Sequence, residues 1–346
     1  MKKILLLLCL FLFAVVVIES FYILNQRLFQ NSIKHQVAQP KPLLPYTFEN
    51  LKKTRFPSSS ITLGAVVFEN ADSFSQIFYF SVPQKPNSNV MEKVSGLMNI
   101  PKKAGSHPVI VMFRGFIPDS TYVPGAGTQP AATVFAKNGF ITLAPDFLGY
   151  GQSASPSADP FENRFQTYTT ALSLLASLKN LNIGLQTNYS GTISADLNKI
   201  GIWGHSNGGH IALSALEISG VNYPAILWAP VSTSFAYSIL YYTDESDDQG
   251  KALRQTLAGF EEIYNTDLFS LTNYFNWIKA PIEINQGTAD QEVPYWWSDN
   301  LVATLKKDNV PTTYFTYPGA DHNLLPDGWS EAVLNSIDFY NQQFLK

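Results

Sequence analysis

The sequence predicts an α/β fold, with a mostly parallel central sheet and helices on both faces. Two patterns carry that expectation. Short apolar runs recur from about residue 108 onward, and stretches with helical spacing separate them. Just after those runs, glycines and side chains with chemical capability gather, at the carboxyl ends where sheets of this kind bind ligands.

Taken in order, Ile61 to Phe68 and Gln76 to Val82 read as antiparallel lead-in strands, and Val94 to Ile100 as a third, ended by Pro101. Pro108 to Phe113 is apolar throughout, as a strand buried on both faces must be. Phe140 to Ala144, Ile200 to Trp203, Ala225 to Trp228 and Pro281 to Ile284 repeat it, and Thr313 to Tyr317 reads as the last strand. The clearest helix between them spans Thr167 to Leu181, with apolar residues at 171, 172, 174, 175 and 178. Gly209 to Ile218 and Trp297 to Leu305 are two more. No internal repeat and no second globular domain stands out.

Hydrophobic residues make up 45% of the 346 and charged residues 14%, a globular composition far from that of a disordered chain. A net charge of -4 gives no electrostatic case for nucleic acid. The single cysteine, Cys9, leaves the rest of the chain without a disulfide, a thiol nucleophile or a cysteine metal site. Cys9 also fails as a lipidation site, because Leu8 precedes it and the apolar run continues beyond.

That run follows Lys2 and Lys3 and extends from Ile4 to Ile18, with Phe21 to Leu24 lengthening it to roughly 20 residues, enough to span a membrane. Residues 1–24 are therefore expected to be an uncleaved anchor, with a cleaved signal peptide as the alternative. In both cases the folded part lies outside the cytoplasmic membrane, tethered or secreted. Residues 25–60, rich in Pro, Gln, Asn and Lys, are expected to be an extended tether. The folded domain is expected over 61–346.

Gly204-His205-Ser206-Asn207-Gly208 has the spacing of a nucleophile elbow, and it lies where that motif belongs, between a buried strand and a helix. A serine hydroxyl needs a base to take its proton. His35 lies in the tether, His107 at the opposite end of its strand, His205 within the elbow and His210 one turn into the next helix. His322 alone follows a late strand at the catalytic end, which makes it the candidate base. The acid belongs between Ser and His in the chain. Asp290, three residues after Gly287, is preferred to Glu292, and Asp321 is too near His322 in sequence to orient its ring.

These motifs, in this order, resemble the alpha/beta-hydrolase superfamily. The version is most similar to the catalytic domain of the prolyl oligopeptidase family and to dienelactone-hydrolase and acyl-esterase relatives. Phe135 to Phe140, Ala144 to Asp146, Gly149 to Ser153, the elbow, Gly287 to Pro294 and His322 carry the likeness, which covers about 108–346. Carried over by position, it implies a triad of Ser206, Asp290 and His322, and oxyanion donors at the backbone N–H groups of Asn207 and Phe116. Two departures stand out. Arg114-Gly115 replaces the family's usual His-Gly, and nothing in this chain has room for the β-propeller of the large peptidases.

Residues 231–280 occupy the place of a small cap and hold ten aromatic residues. These could line a pocket over Ser206 or cover the sheet, and the sequence does not choose. The acidic run 244–248 lacks the spacing of a calcium loop and reads as a solvated turn. No cofactor and no metal is called for. The expected function is hydrolysis of a carboxylic ester or small amide. A peptidase acting on short peptides is the alternative, and a membrane-tethered binding protein without the chemistry is a third.

Overall fold

The computed structural model describes residues 15–26, 40–243 and 247–345. The chain divides into two compact units, Met1–Pro42 and Leu43–Lys346. In the first, residues 15–26 form one helix, on which Val16, Ile18, Phe21 and Ile23 are exposed. The expected anchor over 1–24 falls mostly outside the described residues. Among those described, no helix is long and apolar enough to cross a membrane.

In the second unit nine strands form one sheet: β1 (Thr62–Glu69), β2 (Ser73–Pro83), β3 (Met91–Pro101), β4 (Gly105–Phe113), β5 (Ile141–Pro145), β6 (Ile193–His205), β7 (Ala225–Trp228), β8 (Ile282–Gly287) and β9 (Thr312–Tyr317). Their spatial order is β1-β2-β3-β5-β4-β6-β7-β8-β9. β1, β2, β3 and β5 pair antiparallel in turn, while β5, β4 and β6 through β9 run parallel. β4 lies between β5 and β6, so the chain winds outward from it in both directions. A switch point of that kind leaves a crevice beyond the strand's carboxyl end.

The alternation of side chains along β4 shows why its run is apolar throughout. Val109, Val111 and Phe113 enter one core layer, and Ile110 and Met112 enter the other. The first layer includes α3 (Pro160–Ser177), α4 (Leu181–Tyr189) and α5 (Asn207–Ser219). The second holds α2 (Gln129–Lys137) and α9 (Trp329–Phe344). α8 (Tyr295–Lys307) packs beside β8 and β9.

Two boundaries differ from the sequence reading. The tether expected over 25–60 does not hold for 43–60, because Leu43, Tyr46, Phe48 and Leu51 are buried in the main core, and most of its remainder, 27–39, lies outside the described residues. There α1 (Phe48–Lys53) is capped by Thr47, and Phe48 stacks on Tyr274 at 4.9 Å. Composition had averaged these apolar residues away among the prolines and lysines. The helix expected from Thr167 begins instead at Pro160, where Asp159 accepts the N–H groups of Phe161 and Glu162, both at 2.9 Å. It ends at Ser177, and a tight turn leads into α4.

Candidate active site

Ser206 sits between β6 and α5 with φ 57° and ψ -123°, a conformation that L-residues rarely adopt and that costs on the order of 1–3 kcal/mol. The surrounding backbone fixes it there. Its N–H donates to the Trp228 carbonyl at 2.9 Å, and its own carbonyl accepts from Gly209 at 2.9 Å and Val231 at 3.0 Å. The flanking glycines are required by space. A Cβ on Gly208 would land on the Phe113 carbonyl, and one on Gly204 would meet the Gly208 carbonyl.

Gly115 faces Ser206 from the loop after β4, and a Cβ placed on it would stand 3.0 Å from the serine Cβ. The Arg114 side chain braces that loop. Its Nη1 donates to the Gly115 carbonyl at 2.9 Å and its Nη2 to the Asp146 carbonyl at 3.2 Å. The guanidinium lies over Tyr150 at 4.1 Å and Tyr122 at 4.7 Å. Asp146 closes the arrangement by accepting from Ser95 Oγ at 2.5 Å and Tyr122 Oη at 2.6 Å. Burial pushes its carboxyl up, and those hydrogen bonds and Arg114 oppose the shift. Phe116, next to Gly115, is 76% exposed.

His322 follows β9, and its Nδ1 lies 2.9 Å from Asp290 Oδ2. The imidazole therefore carries its proton on Nδ1 and leaves Nε2 free to accept. Asp290 lies in the loop after β8, its side chain fully buried and that of His322 13% exposed. Besides His322, the Asp290 carboxylate accepts from Gln286 Nε2 at 3.0 Å and from the N–H groups of Glu292 and Val293, both at 2.9 Å. Gln286 is itself held by Ser298 Oγ at 2.7 Å. Glu292, the rival acid, is exposed. Asp321 caps its own loop, accepting from Asn323 and Leu325 N–H.

The remaining histidines are occupied elsewhere. His205 donates from Nε2 to the His322 carbonyl at 2.9 Å, and the two rings lie 4.6 Å apart. Burial and the neighbouring His322 hold His205 down to about 4, so it is neutral. His210 bridges Tyr168 Oη at 2.8 Å and the Val231 carbonyl at 3.1 Å. His107 lies between the carbonyls of Gly139 and Lys103, and His35 is outside the described residues. The supporting roles of Gln286, His205 and Asp146 had no signal in the sequence beyond their nearness to strand ends.

Most cap aromatics turn out to cover the core. Phe235 of α6 (Phe235–Tyr241), Phe260 of α7 (Lys251–Ile263) and Phe269 pack with Phe161 and Phe165 of α3. Tyr241 and Tyr242 instead join Trp297 beside the acid loop, where Tyr242 Oη donates to the Glu292 carbonyl at 3.1 Å. A cavity of about 250 Å³ opens next to Asn207 and Phe116. A larger cleft, about 450 Å³, lies elsewhere, lined by Arg55, Asn87 and Lys179 among others. Among the described residues no cluster of His, Cys, Asp and Glu suits a metal, and residues 244–246 of the acidic run lie outside them.

The profile of the prolyl oligopeptidase family matches residues 187–346, and that of chlorophyllase matches residues 66–229. S-formylglutathione hydrolase of Arabidopsis thaliana is 26% identical over 247 residues, which are 64% of this chain and 79% of that protein. A probable dipeptidyl peptidase 4 of Aspergillus flavus is 33% identical over 116 residues, 33% of this chain and 14% of that much longer protein. Acetyl xylan esterase 1 from a Thermoanaerobacterium species has the same fold, with a TM-score of 0.57 at 17% identity over 87% of this chain and 94% of that one. A doubly wound sheet, a strained serine at its carboxyl edge and these relatives converge on one assignment: the chain belongs to the alpha/beta-hydrolase superfamily and is a serine hydrolase.

Proposed function

We propose that the protein cleaves a carboxylic ester or small amide through an acyl-enzyme on Ser206, with His322 as base and Asp290 as the orienting acid. The observation that carries this reading is the 2.9 Å contact between His322 Nδ1 and an Asp290 carboxylate that three further donors hold in place. In the first half-reaction His322 Nε2 takes the Ser206 proton as Oγ bonds to the substrate carbonyl carbon. The carbonyl oxygen becomes an oxyanion facing the N–H groups of Asn207 and Phe116. Asn207 is the first residue of α5, where helical N–H groups favour negative charge. His322 then protonates the leaving alcohol or amine, and water releases the acid by the same steps in reverse.

A peptidase acting on short peptides is the second reading, favoured by the prolyl oligopeptidase profile over residues 187–346, which include Ser206, Asp290 and His322. Activity on 4-nitrophenyl esters and on aminoacyl 4-nitroanilides separates the two. A fluorophosphonate probe should label the protein, and Ser206→Ala should abolish labelling. Persistent labelling would remove Ser206 from the mechanism. The location we propose is extracytoplasmic, with the apolar stretch after Lys2 and Lys3 as a membrane anchor.

A further inference from the structure

Among the described residues, those lining the cavity beside the elbow carry positive charge and no negative charge. Its walls include Asn207 and Phe116, whose N–H groups are assigned to the oxyanion, so it opens where the acyl group of a substrate would lie. Two arginines line it, Arg114 and Arg164, and no Asp or Glu does. Among the described residues neither guanidinium forms an ion pair with a carboxylate. His210, a further lining residue, adds no charge, because burial and then Arg164 hold it down to about 3.

The two arginines are not equivalent. Arg114 has both terminal nitrogens on carbonyl oxygens and its face against aromatic rings, so it is committed to the loop. Arg164, on the second turn of α3, donates from Nη2 to the neutral Ser238 hydroxyl at 3.1 Å and lies against the Tyr168 hydroxyl. Its Nε, like that of Arg114, is buried without a hydrogen-bond partner, so the difference between the two lies in their terminal nitrogens. A guanidinium normally takes a carboxylate in its planar fork when it leaves water. Here the described residues supply the cation and neutral polar neighbours, and none of them supplies an anion within ion-pair distance.

We propose that Arg164 is a specificity residue for the acyl side of the substrate, and that the acyl group taken by this cavity is short and ends in a carboxylate. A volume of about 250 Å³ is below the usual range for drug-sized ligands and suits a chain of a few carbons. The substrates are then half-esters or half-amides of short dicarboxylic acids. The reacting carbonyl lies at Ser206 and the far carboxylate at Arg164. This inference rests on the acyl-enzyme reading above.

The test compares three 4-nitrophenyl esters with the full chain: the half-ester of adipic acid, the hexanoate and the 6-aminohexanoate. They share a leaving group and nearly share a length, and they end in an anion, a methyl and a cation. We expect kcat/KM for the adipate half-ester to exceed that for the hexanoate by at least about tenfold, with the aminohexanoate poorest. Arg164→Gln should cut the adipate-to-hexanoate ratio by about tenfold or more, whereas Arg164→Lys should keep most of it. Arg164→Glu should shift preference toward the aminohexanoate. A wild-type ratio near one, or an Arg164→Gln that slows both esters equally, would overturn the proposal and leave the Ser206 reading intact. Hydrolysis that survives Ser206→Ala would instead overturn the acyl-enzyme reading, and the proposal with it.

Discussion

In Asp290→Asn the new amide has two ways to sit, and the neighbours of the carboxylate choose between them. Oδ1 accepts from the backbone N–H groups of Glu292 and Val293, both at 2.9 Å. Those donors belong to the loop backbone and cannot turn away, so the amide oxygen must stay with them. The NH2 group is then forced onto the Oδ2 position, against His322 Nδ1 and Gln286 Nε2. His322 can meet an N–H donor there only by giving up its Nδ1 proton. The proton moves to Nε2, the atom that has to receive the Ser206 proton, and the imidazolium formed in the reaction loses its counter-charge. A tautomer error of this kind costs about 10⁴ in kcat, or about 5.4 kcal/mol of barrier. The clash with Gln286 adds a stability cost of about 1–3 kcal/mol, so a melting curve must accompany the kinetics. Turnover of a 4-nitrophenyl ester at neutral pH is the assay, with Glu292→Gln as comparator. Glu292 is exposed, and that change should cost less than about tenfold. A folded Asp290→Asn within tenfold of wild type, or the opposite ranking of the two variants, would refute the assignment.

Gly115→Ala adds a methyl 3.0 Å from the Ser206 Cβ, so the loop must back away; kcat should fall by about 10² with little change in Tm. Retained kcat would show that the loop is not part of the oxyanion site. Glu283, buried on β8 beside Asn285 and Ser336, is pushed up to about 7, mainly by burial. A carboxyl raised in the folded state destabilises as pH climbs from about 4.5 through 7, so Glu283→Gln should gain up to about 3 kcal/mol at pH 8 and almost nothing at pH 4.5. Urea melts at the two pH values measure this, and an equal difference at both would contradict it. The full-length chain should fractionate with membranes, while a chain beginning at Leu43 should stay in the supernatant and remain active. Recovery of the full-length protein from the medium without residues 1–20 would mean that the signal is cleaved.

The strands were legible because the physics that forms them is local. A run such as Pro108 to Phe113 has no polar side to present, and only a sheet with both faces covered accommodates that. The elbow was legible for a related reason, since its glycines record backbone contacts that any larger residue would break. What stayed hidden depends on partners far apart in the chain. Arg114 reads as an anomaly beside Gly115 until Tyr122, Asp146 and Tyr150 are brought around it. Leu43 to Leu51 read as tether because their partners, Tyr168 and Tyr274 among them, are more than a hundred residues away. The aromatic cap left two choices open because a Phe on a core-facing helix and a Phe over a pocket have the same composition.

Distance across the sheet sets the last requirement, one that motif order alone does not express. Ser206 follows β6 and His322 follows β9, with β7 and β8 between them. Three strand spacings of about 4.8 Å separate the ends of β6 and β9 by about 14 Å, farther than a histidine side chain reaches. The loop after β9 must therefore fold back over two strand ends, and it needs a fixed point when it arrives. His205 supplies one, because its neutral ring donates to the His322 carbonyl and leaves the His322 ring free. Asp290, in the loop after the intervening β8, supplies the other through Nδ1. One contact fixes the backbone of the base and the other fixes its tautomer. On the proposed triad, the residue before the nucleophile thus holds the backbone of the base.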